Sequence, residues 1–545
     1  MGSEKDLWFF RCKSGVYPVE NCRELWWKGF KRTVGFVLLI SFCSVFYLAF
    51  FNQSCLKNPS QCSPRLLPSY IGRKTIILNF SGELSSHNSG APNPSPSPYP
   101  DPPVPYPNPN PNPDPPVLSP GIVTEKNIKT NFSHLLFGIG GSAKTWQKRQ
   151  GYTELWWEPG KTRGFVWLDE KPEENEIWPK TLPKFKISGD TSKFPYTNAW
   201  GSRSAIRIAR IVLESFALGL DGIRWFVMGD DDTVFFTENL AEVLGKYNHE
   251  EMYYIGGNSE SVEQDIIHSY GMAFGGGGFA ISYPLAAALV TILDRCIERY
   301  NFFYGSDERI RACMSEMGVP LTREPGFHQV DIRGEPYGLL AAHPVAPLVS
   351  LHHLDYVSSI FPGQTQLASL QTLIQASKTD PGRILQQTLC YEPELKWSVS
   401  VSWGYTVQIY PSIVLPNILE KPFQTFKTWR TYQSEPFTFN TRPIDADPCN
   451  KPAVFFLKEV GRNGSRRLST TYKRYSSDPS KICKESGYPS FELQMVRVSS
   501  EKMEPGDWQK QAARRQCCDV VVSKDQRSTD IRIRKCSLLE SIYPF

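Results

Sequence analysis

The chain has 545 residues and a formal net charge of only +5. The length is enough for two or three domains, and so small a charge gives no electrostatic support for binding nucleic acid. The composition therefore excludes a nucleic-acid-binding function and leaves a folded protein of several domains.

The first predicted element is a membrane-spanning helix at residues 33–51, "TVGFVLLISFCSVFYLAFF", which has nineteen residues and no charge. At about 1.5 Å per residue a helix of this length crosses a bilayer core, and it is too long for the apolar region of a signal peptide. Basic residues are concentrated before it, so residues 1–32 are expected in the cytosol and the rest in the lumen. Sequons at Asn79, Asn131 and Asn463 agree with this type II topology.

Residues 52–121 are predicted to form a lumenal stem. Between residues 91 and 120, proline occupies half of the positions. This composition favours extended polyproline II and cannot build a core. The stem is expected to hold a folded domain, which begins near residue 122, away from the membrane.

Residues 122–365 show the alternation of strands and helices that is typical of an α/β domain. The predicted elements are strand 134–141, helix 145–157, strand 163–170, helix 201–220 and strand 223–232. Residues 366–545 change to short β-type runs separated by Pro, Asn and Gly, and they contain six cysteines. This second region is predicted to be a β-rich domain that disulfides stabilise.

Three adjacent carboxylates, Asp230, Asp231 and Asp232, lie where the strand 223–232 ends. Ligands bind at the carboxyl ends of strands in open α/β sheets, and the alternation of side chains lets Asp230 and Asp232 point the same way. Two such carboxylates suit Mg²⁺ or Mn²⁺ shared with substrate phosphates. The alternative is a plain acidic loop at the end of the strand.

Several motifs follow the order of a known enzyme group. The segment "WFVMGDDDTVFF" (225–236) resembles the metal-binding DxD segment of the Fringe and core-1 β1,3-galactosyltransferase group, related to glycosyltransferase family 31. "YGMAFGGGGFAIS" (270–282) is similar to that group's glycine-rich turn, "GSDERIRACMSEMGVPLTREPGFHQ" (305–329) to its acidic segment and Phe-His pair, and "VSLHHLD" (349–355) to its His-containing strand. The C-terminal extension resembles the plant Fringe-related family that carries a domain of unknown function.

The resemblance implies a GT-A fold, which is a Rossmann-like mixed sheet flanked by helices, followed by the β-rich module. It also implies an inverting, metal-dependent transfer of a hexose or N-acetylhexosamine from a UDP-sugar to a hydroxyl of a glycan or glycoprotein, in a β1,3 linkage. The expected location is the Golgi membrane with the catalytic domain in the lumen, and a homo-oligomer is left open.

Two other functions are weighed against this one. The first is a membrane-anchored glycan-binding protein that has lost activity on the same scaffold, with Trp397, Trp403 and Trp429 as candidate sugar contacts. The second is a haloacid-dehalogenase-like phosphatase, which is disfavoured because a long ordered region precedes the acidic motif.

The resemblance assigns the metal site residue by residue. Asp232 first and Asp230 second are expected to hold Mn²⁺ or Mg²⁺, and Asp231 to contact the donor. His328 and His352 both match histidines of the group, so either one is expected to complete the ligand set.

The resemblance also assigns the acceptor and nucleotide contacts. Asp307 is the expected general base, with Glu308 in reserve, and Asp169 either contacts uridine or ribose or caps a helix. Cys296 and Cys313 flank the acidic segment and either form a disulfide that fixes it or are free core thiols. The backbone expected to approach the donor sugar is that of Gly276, Gly277 and Gly278.

Overall fold

The structure is a computed structural model, and it describes residues 129–173, 177–429, 439–463, 466–476, 483, 493–510, 512–522 and 527–543. The predicted membrane anchor and the predicted stem lie outside these residues. No helix in the described part of the chain is long and apolar enough to cross a membrane.

The N-terminal half alternates strands and helices, numbered here along the chain. Its strands are β1 Leu135–Gly140, β2 Gly164–Leu168, β3 Lys184–Ile187, β4 Trp225–Asp230, β5 Val234–Phe235, β6 Tyr254–Gly256, β7 Phe279–Ser282, β8 Leu321–Arg323, β9 Phe327–His328, β10 Ile332–Gly334 and β11 Ser350–Leu351. Its helices are α1 Ala143–Glu154, α2 Ser204–Phe216, α3 Thr237–Leu244, α4 Val262–Ile267, α5 Tyr283–Arg299, α6 Ser306–Glu316 and α7 Tyr337–Leu340, with 3₁₀ turns at Phe132–His134 and Leu354–Tyr356.

Seven of these strands form one mixed sheet in the order β3-β2-β1-β4-β7-β6-β8. Strand β1 pairs in parallel with β2 on one side and with β4 on the other. The strand order therefore reverses at β1, and the crevice outside the carboxyl ends of β1 and β4 is where such sheets bind ligands. The predicted mixed α/β fold is confirmed. A separate three-stranded sheet has the order β5-β11-β9, and its strand β5 follows directly after β4 in the chain.

The C-terminal half is built mainly of strands. Its elements are α8 Gln366–Thr379, β12 Gln387–Glu392, β13 Trp397–Ser402, β14 Thr406–Tyr410, α9 Pro416–Leu419, β15 Phe426–Thr428, β16 Ala453–Asn463, β17 Arg467–Tyr475, β18 Met495–Glu501, α10 Asp507–Lys510, β19 Cys517–Val522 and β20 Ser528–Arg534, with a 3₁₀ turn at Pro381–Arg383. Eight strands form one sheet in the order β12-β13-β14-β16-β17-β18-β20-β19. The predicted β-rich character is confirmed.

Helix α8 corrects the expectation that residues 366–545 consist of β-type runs from their beginning. Leu370, Leu373 and Ile374 repeat at helical spacing and are buried. The Thr365 side chain accepts a hydrogen bond from the backbone N–H of Ala368 (3.3 Å) and so caps the helix. The helical spacing is a local feature of this segment, and the β-type composition begins only after it.

The two halves pack together within the unit Ser119–Phe545. Strand β15 of the C-terminal half pairs with β10 of the N-terminal half, with Phe426 opposite Gly334. A single cluster of buried side chains includes both Leu135 and Ile533. The C-terminal half therefore reaches into the α/β half and shares its core.

Disulfides fix both halves. Cys296–Cys313 joins α5 to α6, the helix that begins beside Asp307, and this confirms the disulfide expected there. The β-rich half contains disulfides, as predicted. In the described part of the chain they are Cys390–Cys518, Cys449–Cys483 and Cys517–Cys536.

Candidate functional site

An acidic cluster at the carboxyl end of β4 forms the candidate site. Nε2 of His352 lies 3.1 Å from Oδ1 of Asp232 and 3.8 Å from Oδ2 of Asp230. One ligand atom from each of the three residues lies within 4.8 Å of the others. Asp232 and His352 are buried, whereas 38% of the Asp230 side chain is exposed. The three side chains therefore converge on one position that a ligand can reach from the side of Asp230.

Hydrogen bonds and strand pairing bring this cluster together. The backbone N–H of Asp230 donates to the Thr233 hydroxyl (2.8 Å), which donates to the carbonyl oxygen of Gly276 (2.7 Å). The chain then enters β5, which pairs with β11. Because His352 directly follows β11, this pairing carries the histidine to the side of Asp232.

The cluster fits a divalent cation. Nδ1 of His352 is buried and has no hydrogen-bond partner among the described residues, and the buried Oδ1 of Asp232 has Nε2 of His352 at 3.1 Å but not in hydrogen-bonding geometry. An unpaired buried polar atom costs on the order of 1–3 kcal/mol, and a buried charge costs more, so a cation bound here removes a penalty. Two carboxylates and an imidazole suit Mn²⁺, whereas Mg²⁺ prefers oxygen ligands alone.

The charges of the cluster are coupled. Burial and the neighbouring carboxylates raise the pKa of Asp230. Burial acts to lower the pKa of His352, but Asp232 and Asp230 outweigh it and raise that pKa to about 9. Burial acts to raise the pKa of Asp232, yet His352 and Arg149 hold it below its usual range. A metal ion bound here would require His352 to be neutral and would therefore displace its proton.

Sequence reasoning missed Arg149, which lies on α1 and completes the cluster. Its guanidinium is 3.0 Å from Oδ1 of Asp231, 3.4 Å from Oδ2 of Asp232 and 3.7 Å from Oδ2 of Asp355. Tyr152, one helical turn later, donates a hydrogen bond to Asp355. Asp231 therefore forms an ion pair with Arg149. No local signal marks Arg149, because its partners are distant in sequence.

Asp307, the expected general base, lies near the acidic cluster. It lines a small cavity of about 20 Å³ together with Asp230. Its two carboxylate oxygens accept the backbone N–H groups of Gly275 (3.1 Å) and Glu308 (3.1 Å). Burial raises the pKa of Asp307, and the Gly275 N–H opposes this. A carboxylate with a raised pKa accepts a proton more readily near neutral pH.

Glu308, the reserve candidate, is occupied by structural contacts. Its Oε2 accepts the backbone N–H groups of Tyr304 (2.7 Å) and Gly305 (2.9 Å), and its Oε1 lies 3.0 Å from Nδ1 of His268. Burial opposes the change, but the contact with His268 and these N–H groups lower the pKa of Glu308. Glu308 therefore caps α6, and the choice of Asp307 as the base stays a prediction.

The glycine-rich turn packs against the histidine of the cluster. A Cβ at Gly276 would overlap the His352 ring, so only glycine fits there. The backbone N–H of Gly277 donates to Oε1 of Gln329 (2.6 Å), and Gly278 has a φ of 84°, which glycine adopts without strain. These contacts give the turn a role in positioning His352. Its expected approach to the donor sugar stays a prediction.

His328 is not brought into the acidic cluster, which corrects its assignment as a metal ligand there. Its Nδ1 lies 2.9 Å from Glu260, and its Nε2 lies 2.9 Å from His343. On the parallel pair β9–β11, His328 is opposite Leu351. Opposite residues share a face and consecutive residues alternate, so His328 points away from His352.

Asp169 acts as a helix cap at the beginning of α1. Its carboxylate accepts the backbone N–H of Ala143 (2.9 Å) and the hydroxyl of Ser142 (2.9 Å). Burial opposes these bonds, but together they lower the pKa of Asp169. The structure thus shows the capping role, and contact with uridine or ribose stays a prediction.

The C-terminal half places Trp429 beside the site. Its ring stacks on His353 at 4.5 Å between centroids and an interplanar angle of 4°, and the His353 ring is 4.0 Å from that of His352. His353 has a φ of 54°, a left-handed conformation that costs on the order of 1–3 kcal/mol and persists only where neighbours hold it. Trp397 and Trp403 are buried in the core, so they are not the sugar contacts suggested above.

The reversal of strand order, together with a cation-fitting cluster at that point, defines a ligand-binding α/β protein. Residues 264–518 match a family model described as "Protein of unknown function, DUF604". The chain is 29% identical over 158 residues to a "Beta-1,3-glucosyltransferase" of Mus musculus, covering 28% of this chain and 30% of that protein. It is 30% identical over 110 residues to a "Beta-1,3-glucosyltransferase" of Homo sapiens, covering 20% and 21%.

These matches confirm the predicted resemblance to family 31-related glycosyltransferases. The chain spans less than a third of the length of the curated relatives it matches. A solved structure, a glycosyltransferase involved in glycosylation of the major capsid of PBCV-1, is 11% identical and covers 44% of this chain and 98% of its own, with a TM-score of 0.23. Mouse xyloside xylosyltransferase 1 is 13% identical and covers 35% and 84%, also with a TM-score of 0.23. At these TM-scores the two structures carry no weight for the fold.

Proposed function

We propose that this protein is a metal-dependent glycosyltransferase of the GT-A type. It transfers a hexose or N-acetylhexosamine from a UDP-sugar to a hydroxyl of a glycan or glycoprotein, with inversion and in a β1,3 linkage. The observation that carries the proposal is the convergence of Asp230, Asp232 and His352 at the point where the strand order reverses. A type II anchor at residues 33–51 and residence in the Golgi membrane complete the proposal.

The residues of the cluster have different roles in binding the donor. Mn²⁺, when bound, neutralises charge on the departing diphosphate. Asp232 and His352 would hold the cation from the buried side, and the partly exposed Asp230 would hold it from the side that the donor enters. Arg149 neutralises Asp231, which would otherwise repel the phosphates.

Asp307 performs the proton transfer. One of its carboxylate oxygens takes the proton of the acceptor hydroxyl while the hydroxyl oxygen forms a bond to the anomeric carbon. The bond from that carbon to the UDP oxygen breaks on the opposite face, so the configuration inverts. An inactive glycan-binding protein is disfavoured, because the three cluster residues and Asp307 are all in place and two of the three suggested tryptophans are buried.

The test is isothermal titration of UDP into the full-length protein with and without Mn²⁺. We expect binding that requires Mn²⁺ in the wild type and disappears in Asp232→Ala. The matched control is Asp190→Ala, which removes an exposed carboxylate elsewhere and should leave binding unchanged. Absence of UDP binding to folded wild-type protein, or equal binding without Mn²⁺, would contradict the proposal.

A further inference from the structure

A basic cleft of about 810 Å³ lies at the end of the eight-stranded sheet where β17 begins and β18 and β20 end, in the half of the protein that the proposed reaction does not use. Along β17, β18 and β20 the inward positions are buried, among them Leu468, Val498 and Ile531. The alternate, outward positions are polar, and those at the strand ends, Arg467, Ser469, Ser499 and Arg532, form the floor of the cleft, which Leu468, Ser500 and Ile533 also line.

Two serines create the depression in this floor. Ser469 of β17 is opposite Ser499 of β18, and Ser499 is opposite Arg532 of β20. Neighbouring strands bring opposite Cβ atoms to about 5 Å, so two small side chains side by side leave a gap where longer ones flank them. Arg467, also on the outward face of β17, borders the same gap.

The lining of the cleft has more basic than acidic side chains. It includes eight arginines and lysines but only two acidic residues. Several of the cations are paired, for example Arg534 with Asp519 (2.9 Å). In contrast, Arg467, Arg532 and Lys535 are exposed and have no carboxylate oxygen within 4.0 Å among the described residues, although the strand register puts Glu501 opposite Arg467 and Asp519 opposite Arg532.

One wall of the cleft adds an ordered aromatic side chain. The indole N–H of Trp508 donates to the carbonyl oxygen of Gly382 (2.9 Å), which fixes the ring while part of its surface stays exposed. Arg514 is fixed in the same wall through the carbonyl oxygen of Ser537 (3.1 Å). The cleft thus offers three kinds of contact to a ligand. The serine hydroxyls can hydrogen-bond ligand hydroxyls, the cations can bind ligand carboxylates, and the Trp508 ring can pack against the C–H face of a sugar.

We propose that this cleft binds an acidic oligosaccharide, that is, a glycan whose sugars carry carboxylates. Arginine binds carboxylates through two parallel hydrogen bonds, and the free cations are distributed over β17 and β20 rather than gathered at one point. The volume is in the upper part of the range for small-molecule sites, which is more than a single phosphate needs. The inference goes beyond the proposed donor site and stands if that proposal fails.

The test is isothermal titration of the full-length protein with tetragalacturonate, without UDP or Mn²⁺. The comparison ligands are maltotetraose, which is neutral, and inorganic phosphate. We expect binding of tetragalacturonate alone, and binding that weakens as salt is raised. Arg467→Gln and Arg532→Gln should each weaken it roughly tenfold, because each removes a charge-assisted hydrogen bond.

Arg497→Gln is the matched control, since Arg497 is exposed on the same face of the sheet but does not line the cleft. It should leave the affinity within twofold of wild type, and thermal melting checks that all three variants are folded. The proposal is overturned if tetragalacturonate does not bind, or if maltotetraose or phosphate binds as tightly. It is also overturned if Arg497→Gln weakens binding as much as the two cleft variants.

Discussion

The acidic cluster and the basic cleft use charge in opposite ways. Asp232 and His352 are buried, so their charges are strongly coupled and each depends on the position of the other. Arg467 and Arg532 are exposed, so water and salt screen them and each acts nearly alone. Substitutions in the acidic site should therefore cause large losses, whereas those in the cleft should cause graded ones.

The largest effect is expected for the proton transfer. Asp307→Asn removes the proposed base and should lower turnover by roughly 10²–10⁴-fold, while the affinity for UDP stays within twofold. Steady-state kinetics and titration with UDP measure the two quantities. Asp190→Asn is the control, and equal turnover in the two variants would mean that Asp307 is not the base.

A glycine outside the acidic triplet should have the next largest effect. In Gly276→Ala the new methyl group overlaps the His352 ring and should move it. The affinity for Mn²⁺ should then fall by roughly 10–100-fold, which is the usual effect of removing a residue that orients a metal ligand. In Gly271→Ala the nearest atom is 3.7 Å away, and binding should not change. Unchanged Mn²⁺ affinity in Gly276→Ala would show that His352 is not a ligand.

Substitution of Trp429 tests whether the β-rich half supports the acidic cluster of the N-terminal half. Trp429→Ala removes the ring that stacks on His353, and we expect a loss of Mn²⁺ affinity of roughly tenfold or less, with Trp429→Phe closer to wild type. Trp200→Ala is the control because Trp200 is 90% exposed. If Trp429→Ala binds Mn²⁺ like wild type, the β-rich half does not support the metal site.

The smallest effect is expected for Glu308→Gln, which weakens the cap of α6. We expect a loss of about 1 kcal/mol in the free energy of unfolding at neutral pH, measured by urea titration. The pKa of Glu308 is lowered in the folded state. The unfolded state therefore binds more protons in this range, and the contribution of the carboxylate is present above its unfolded pKa and lost as pH falls through the folded one. The difference between wild type and variant should shrink at acid pH; a constant difference would mean that the charge contributes nothing.

Local patterns in the sequence determined the elements around the site. The strand that ends at Asp230, the acidic triplet and the glycine-rich turn could all be read from short segments, because periodicity and turn chemistry are local properties. The β-rich character of the C-terminal half and the presence of disulfides in it could be predicted from composition, but the pairing of the cysteines could not.

Only the tertiary structure decided which residues act together. The choice of His352 over His328 depends on strand register, which places consecutive residues on opposite faces. The role of Arg149 depends on ion pairs with residues far along the chain. The basic cleft depends on three strands that pair only in the folded sheet. These contacts are long-range, and no segment of the sequence contains both partners.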